Sequence, residues 1–532
     1  MINEIAPSLG NRNSQHSFAQ VPSVNIQRPM FDRSHAVKDT MNFDELVPIY
    51  VDEILPGDTI NLNVKSFIRL ATQVKPVLDN MYVDYFFFFV PNRLVWDNWE
   101  KFNGAQDNPG DSTDFSIPTI TINDGSGYQV GSIYDHMGIP TDQDDLTINA
   151  LPFRAYYLIY NEWFRDENLV NSLTVAKDNG PDAATDYTIQ TRAKKHDYFT
   201  SCLPWLQKGD AVDLPIGTSA PITLSGTDTY GLVRNASTGA LIGGANQLGT
   251  DTNSRFELTT GTDGYYDPNG TLIADLSTAT AATINQLRDA IMTQSLLELD
   301  ARGGTRYTEI VRAHFNVVSP DQRLQRPEFL STGSTSIVQH PVANTSSTAS
   351  ENQGDLAAFS TASQYGNNIG FTKSFVEHGY VIGLANARAD ITYQQGLNKM
   401  WSRSTRYDFF WPKLQQLGEQ AVLNKEIYVD TAGGTDDNVF GYQERYAEYR
   451  YKPSEIRGEF RSTYSTPLDV WHLAEEFSSL PALNSTFIAS NTPIERILAV
   501  TNDVHLLCDY WFDVKHARPM MTYGVPATLG RF

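Results

Sequence analysis

Apolar and polar residues alternate strictly where Ile60, Leu62 and Val64 interleave with Asn61, Asn63 and Lys65, the period of a strand with one buried face. Leu55-Pro56-Gly57-Asp58, just before it, has the chemistry of a type II turn: proline presets φ and glycine accepts a positive one. The same alternation returns near the C-terminus, where Val504, Leu506, Cys508, Tyr510, Phe512 and Val514 face away from His505, Asp509 and Asp513. Tyr82–Val90 instead is almost continuously apolar and stops at Pro91. It is too short to span a bilayer, so it predicts a strand covered on both faces. A subunit with long loops folded over its sheet provides such cover.

Helical spacing is rarer. Phe153, Tyr156, Tyr157, Tyr160, Trp163 and Phe164 fall on one face of a helix predicted over Leu151–Asp166, with Pro152 suited to its first turn. The stripe reads as core or subunit contact before it reads as a platform for stacking bases. A second helix is predicted over Ile284–Leu299, opened by the capping-box pair Thr283 and Gln286 and closed by Gly303-Gly304. Strands dominate and their connections are very long, which predicts a mainly β antiparallel sandwich with elaborate loops.

Residues 1–45 are polar, broken by Pro7, Pro22 and Pro29, and read as an extended N-terminal arm ahead of a single domain over 46–532. That domain is interrupted at 215–283, which holds ten of the 36 glycines and only two basic residues, Arg234 and Arg255. Asp267-Pro268-Asn269-Gly270, between Tyr265-Tyr266 and Leu272-Ile273, predicts a hairpin there. The segment is too polar to make much core and is expected on the surface.

Composition adds a direction. Charged residues are 19% of the chain and aromatic residues 11%, a depletion and an enrichment shared by buried interfaces and by a large aromatic core. The net charge of −22 argues against nucleic-acid binding by the surface as a whole. The flanks differ: the tail 515–532 carries Lys515, Arg518 and Arg531 with no carboxylate, and the arm carries Arg12 and Arg28. These five are the candidate DNA-facing residues. With two cysteines, Cys202 and Cys508, a disulfide framework is excluded and a reducing compartment is expected. The start MINEIAPSLG lacks the pattern of a signal peptide.

No catalytic motif emerges. The ten histidines lack metal-binding spacing, and no zinc, phosphate-loop, nucleophile-elbow or dinucleotide signature occurs. Asp142, Asp144 and Asp145 imitate the start of a calcium loop but lack its glycine and distal glutamate, so they read as a solvated turn. Glu377-His378 is an adjacent acid–base pair whose side chains should diverge. No cofactor and no metal are expected. A β-rich adhesion protein and a glycan-active enzyme stay open on these grounds alone.

Several segments together resemble the gokushovirus major capsid protein, within the microvirus family. They are the phenylalanine run Phe86–Phe89 with Val90-Pro-Asn-Arg-Leu-Val-Trp96, Leu151-Pro-Phe-Arg-Ala-Tyr156 with Asn161-Glu-Trp-Phe-Arg165, Asp300-Ala-Arg-Gly-Gly-Thr-Arg-Tyr307, and Ser319-Pro-Asp-Gln-Arg-Leu-Gln-Arg-Pro-Glu-Phe329. The resemblance runs from the arm to Arg518-Pro519 and is weakest in the polar insertion. It implies an eight-stranded antiparallel jelly-roll with long inter-strand insertions, assembled from copies of itself into the smallest icosahedral shell around circular single-stranded DNA. It further implies that 215–283 projects at the three-fold axes toward a host surface receptor. A small basic DNA-binding protein and a minor DNA pilot protein are the implied partners. The implied location is the virion, assembled in the bacterial host cytoplasm without membrane insertion.

Overall fold

The computed structural model describes residues 26–213, 283–345, 353–366, 368–501 and 503–523, with the backbone of six three-residue strands between 222 and 274. Eleven strands build two antiparallel sheets. They are β1 (Met30–Asp32), β2 (His35–Met41), β3 (Val47–Ile54), β4 (Thr59–Leu70), β5 (Met81–Pro91), β6 (Glu328–Ser336), β7 (Val338–Ala343), β8 (Leu356–Gln364), β9 (Gly370–Ser374), β10 (Gly379–Ala389) and β11 (Leu506–Ala517). In the first sheet β1 and β2 lie along β11, β11 pairs with β4, β4 pairs with β8 and β9 at its two ends, and β7 lies outside β8. The second sheet runs β6–β5–β10–β3. The chain is mainly β, and its paired antiparallel sheets fit a capsid β-sandwich.

The alternation read from sequence sets the first sheet's buried face. Ile60, Leu62, Val64, Ile68 and Leu70 of β4 pack with Leu506, Cys508, Tyr510, Phe512 and Val514 of β11 in one apolar cluster. The turn before β4 forms as expected: Asp58 N–H donates to the Leu55 carbonyl at 3.0 Å, and Gly57 has φ +93°. It carries the chain from the second sheet to the first. Met30–Asp32 and His35–Met41, inside the predicted arm, are held as strands by β11.

The phenylalanine run of β5 is buried on both sides, as its unbroken apolarity predicts. Tyr85, Phe87 and Phe89 enter the cluster between the sheets, whereas Phe88 and Val90 enter a second cluster on the opposite face. That second cluster is supplied by the connection after β5: Trp96, Ile120, Tyr128, Ile133 and the helix α1 (Leu151–Ile159). The chain roofs its own sheet. Phe153, Tyr156, Tyr157, Tyr160 and Phe164 are buried there, so the aromatic stripe is core. The helix ends earlier than expected, because after Ile159 it loosens into a π-turn, Tyr160–Phe164, where Arg165 N–H donates to the Tyr160 carbonyl at 3.0 Å. A third cluster, with Tyr198, Phe199, Tyr393, Val422, Phe440 and Phe487, organises the connection between β10 and β11.

Residues 205–305 with 313–315 form a separate compact unit. Its strands pair in nested order: 222–224 with 272–274, 233–235 with 264–266, and 248–250 with 256–258. The predicted turn at 267–270 lies outside the described residues. Tyr265-Tyr266 and Leu272-Ile273 pair with partners farther back in the chain, not with each other. The second helix, α2 (Ile284–Gly303), has the full capping box at Thr283 and Gln286.

Candidate nucleic-acid interface

Three of the five predicted basic residues meet at one end of the first sheet. The register places Asp32 opposite Lys515, and Arg518 N–H donates to the Pro29 carbonyl at 3.2 Å. Arg28 lies over the turn 55–58: a Cβ on Gly57 would stand 3.1 Å from its guanidinium and 3.6 Å from Pro519. Arg12 and Arg531 lie outside the described residues.

This cluster is close to charge-balanced. Lys515 pairs with Asp32, whose carboxyl is held down to about 2 chiefly by that lysine and by Ser34. Arg518 Nε lies 3.2 Å from Asp58 Oδ2, and its guanidinium also donates to the Glu53 carbonyl. Arg33 pairs with Asp52. His516, on the inner face of β11, is fully buried, and burial followed by the Arg518 charge lowers its pKa. Its Nδ1 lies 3.2 Å from the Arg33 guanidinium, and its Nε2 stands 2.9 Å from Asp58 and accepts from Arg518 Nε at 3.1 Å. Arg28 alone of the three has no carboxylate partner among the described residues. What the arrangement does chemically is fasten the end of the arm to the last strand. Little uncompensated charge is left there for phosphate.

The other sequence features resolve into local structure. Glu377 binds Arg93 through both carboxylate oxygens, at 2.5 and 3.1 Å, while the His378 ring packs on Trp99. Asp144 and Asp145 accept hydrogen bonds from Asp124 N–H and the Asn123 amide, as a self-contained acidic turn does. The buried Cys508 thiol is pushed up to about 12 by burial, the opposite of an activated nucleophile. No helix among the described residues is long and apolar enough to cross a membrane.

Sequence reasoning overlooked the stretch from Lys399 to Lys413. It holds five aromatic and four basic residues against the single carboxylate of Asp408, and its interleaving was readable without coordinates.

Residues 19–528 match the model of the family described as Capsid protein (F protein). Capsid protein VP1 of Bdellovibrio phage phiMH2K is 62% identical over 98% of this chain and 100% of its own length. Capsid protein VP1 of Chlamydia phage 1 is 41% identical, and that of Spiroplasma virus 4 is 36% identical, each over 96% of this chain and 97% of the relative. Capsid protein F of Escherichia phage alpha3 is similar over a shorter stretch, 28% identical across 27% of this chain. On these matches the chain belongs to the capsid protein (F protein) family, on its gokushovirus-type Microviridae branch, and is a structural protein of the virion, not an enzyme.

Proposed function

We propose that this chain is the subunit of a small closed icosahedral shell of the smallest class, enclosing a circular single-stranded DNA genome, and that its sandwich is an eight-stranded jelly roll. The strand order supports the fold reading. Taken as β2–β11–β4–β8 in one sheet and β3–β10–β5–β6 in the other, successive strands cross between sheets except from β5 to its neighbour β6, as two Greek keys wound together require. The observation that carries the assembly reading is the first sheet's outer face. The second sheet is roofed by its own chain, yet on the first Phe67, Leu507 and Trp511 stand 43%, 52% and 45% exposed on adjacent strands. A solvated antiparallel face is ordinarily polar, and an exposed apolar one marks a contact surface.

Within this reading, 215–283 projects outward at the three-fold axes and meets a host surface receptor, as its glycine-rich and base-poor composition favours. A small basic protein shares neutralisation of the DNA, and a minor pilot protein accompanies the genome. Assembly takes place in the host cytoplasm. Arg12, Arg28, Lys515, Arg518 and Arg531 form a secondary DNA contact, limited by the carboxylates already held by Lys515 and Arg518. Co-expression with the partner proteins, followed by sedimentation, tests the assembly. The expected product is a fast closed particle dominated by this chain; monomers under every assembly condition would sink the proposal. Replacing Lys515, Arg518 and Arg531 together should reduce packaged DNA per particle, and full genomes in normal shells would remove the tail from the DNA contact.

A further inference from the structure

We infer that the face formed by Lys399–Lys413 and Glu444–Lys452 is a binding platform for single-stranded DNA, an inference that rests on the shell reading above. The two segments are packed together by a central strut. Arg403 donates to Glu448 at 2.9 Å and to the Tyr449 hydroxyl at 2.6 Å, and its guanidinium lies 4.3 Å over the Tyr449 ring and 5.6 Å over Phe409. Phe410 meets Tyr446 and Tyr449 edge-on, at 5.1 and 6.1 Å between centroids, and the Tyr446 hydroxyl donates to the Phe409 carbonyl at 3.1 Å. Asp408 folds the loop by accepting from the Ser404 and Thr405 N–H groups at 2.9 and 2.6 Å. The loop is built on short 3-10 turns, Lys399–Ser402, Arg406–Asp408 and Pro412–Leu414, and it is tied at several points.

Its rings nevertheless face solvent. Trp401 is 71% exposed, Tyr407 65%, Phe409 52%, Phe410 44%, Trp411 41% and Tyr449 54%. Arg406 lies 4.7 Å over the Trp411 ring. Arg406, Lys413 and Lys452 have no carboxylate partner among the described residues. The two segments carry seven basic residues against three carboxylates in a chain whose net charge is −22. All three carboxylates are committed: Asp408 to the loop, Glu448 to Arg403, and Glu444 to Arg450.

A contact between copies of this chain would use the aromatics, but interface cores are depleted of uncompensated lysine. A single strand uses both features, with phosphates neutralised by the free cations and unstacked bases lying on the rings. Duplex DNA, whose bases are already stacked, gains little from the rings. The recognition is expected to tolerate sequence, since every base has a π-face.

The test measures fluorescence anisotropy of a labelled oligodeoxythymidylate against the full chain, as free subunits and as particles, over a salt series. Trp411→Ala should weaken binding about tenfold. Arg406→Gln with Lys413→Gln should reduce the slope of log affinity against log salt by about 1.4. Trp411→Phe and Arg406→Lys should retain most of the binding, and Trp511→Ala, on the open sheet, should leave the oligonucleotide affinity of the free subunit unchanged. Unchanged oligonucleotide affinity in the first two variants would overturn the inference, as would equal affinity for duplex. Loss of particles with unaltered affinity of the free subunit would assign the face to subunit contact instead, also overturning it. Failure of the shell reading is separately visible, as an unmodified chain that forms no particles.

Discussion

Arg154 is the charged side chain that α1 turns inward among its aromatic rings. It is fully buried, donates from Nε to Asp182 at 2.8 Å, and reaches the Asp178 and Val95 carbonyls at 2.9 and 3.1 Å. Burial would raise the Asp182 carboxyl, but the arginine and the Tyr187 hydroxyl hold it below the usual carboxylate range. Arg154→Met should leave a buried uncompensated carboxylate and cost about 3–5 kcal/mol in denaturant unfolding, with a smaller loss if Asp182→Asn is combined with it. His136 gives a pH signature. Burial would depress its ring, but the hydrogen bond from His136 Nδ1 to Asp39 (2.9 Å) and that residue's charge raise it above 6.5. A raised folded-state pKa gives stability that is complete below the ordinary value and is lost as pH rises through the raised one. Melting of the unmodified chain should therefore lose more stability than Asp39→Asn between pH 6 and pH 8; equal losses would remove the pair as a pH-dependent fastening. At this scale the sequence reading located Lys515 and Arg518 but not their carboxylates. Asp32 and Asp58 lie hundreds of residues away, and only strand pairing reveals that they face the tail.

At the scale of elements, legibility follows the range of the determining interactions. The alternation of β4 and β11, the two-faced burial of β5 and the capping box of α2 are local patterns and appear as read. Turn chemistry proposes a reversal at 267–270, but pairing is decided elsewhere: strands 222–224 and 233–235 claim the flanking residues. The π-turn that shortens α1 has no signature in spacing. A tight packing requirement lies between neighbouring strands of the second sheet. A Cβ on Gly383 of β10 would stand 2.6 Å from the Phe87 ring of β5 and 3.0 Å from Tyr50 Cβ of β3. Gly383→Val should cost about 1–3 kcal/mol through overpacking, and Phe87→Leu in the same chain should recover part of it. If the two losses simply add, the strands are not packed as described.

For the whole molecule, the sandwich was legible in outline, and the resemblance supplied the family that the matching relatives establish. Less legible was the asymmetry of the two sheets, one roofed by its own connection and one left open with exposed aromatics. Roofing is written in contacts between distant segments, which composition registers only as aromatic excess. The aromatic and basic interleaving of Lys399–Lys413 is written in the sequence, but its packing with Glu444–Lys452 appears only in space. If 215–283 projects as proposed, limited proteolysis of intact particles should nick it before the sheets, and early cleavage within the strands would refute that placement. The most direct test of the central claim is an electron-microscopic reconstruction of purified particles at a resolution that traces side chains. The expected map shows a continuous closed icosahedral shell built from copies of this chain, its two sheets in every subunit and the uncovered face of β4 and β11 in contact with other shell components. A shell traced from another protein, with this chain absent or present only as an appendage, would contradict it.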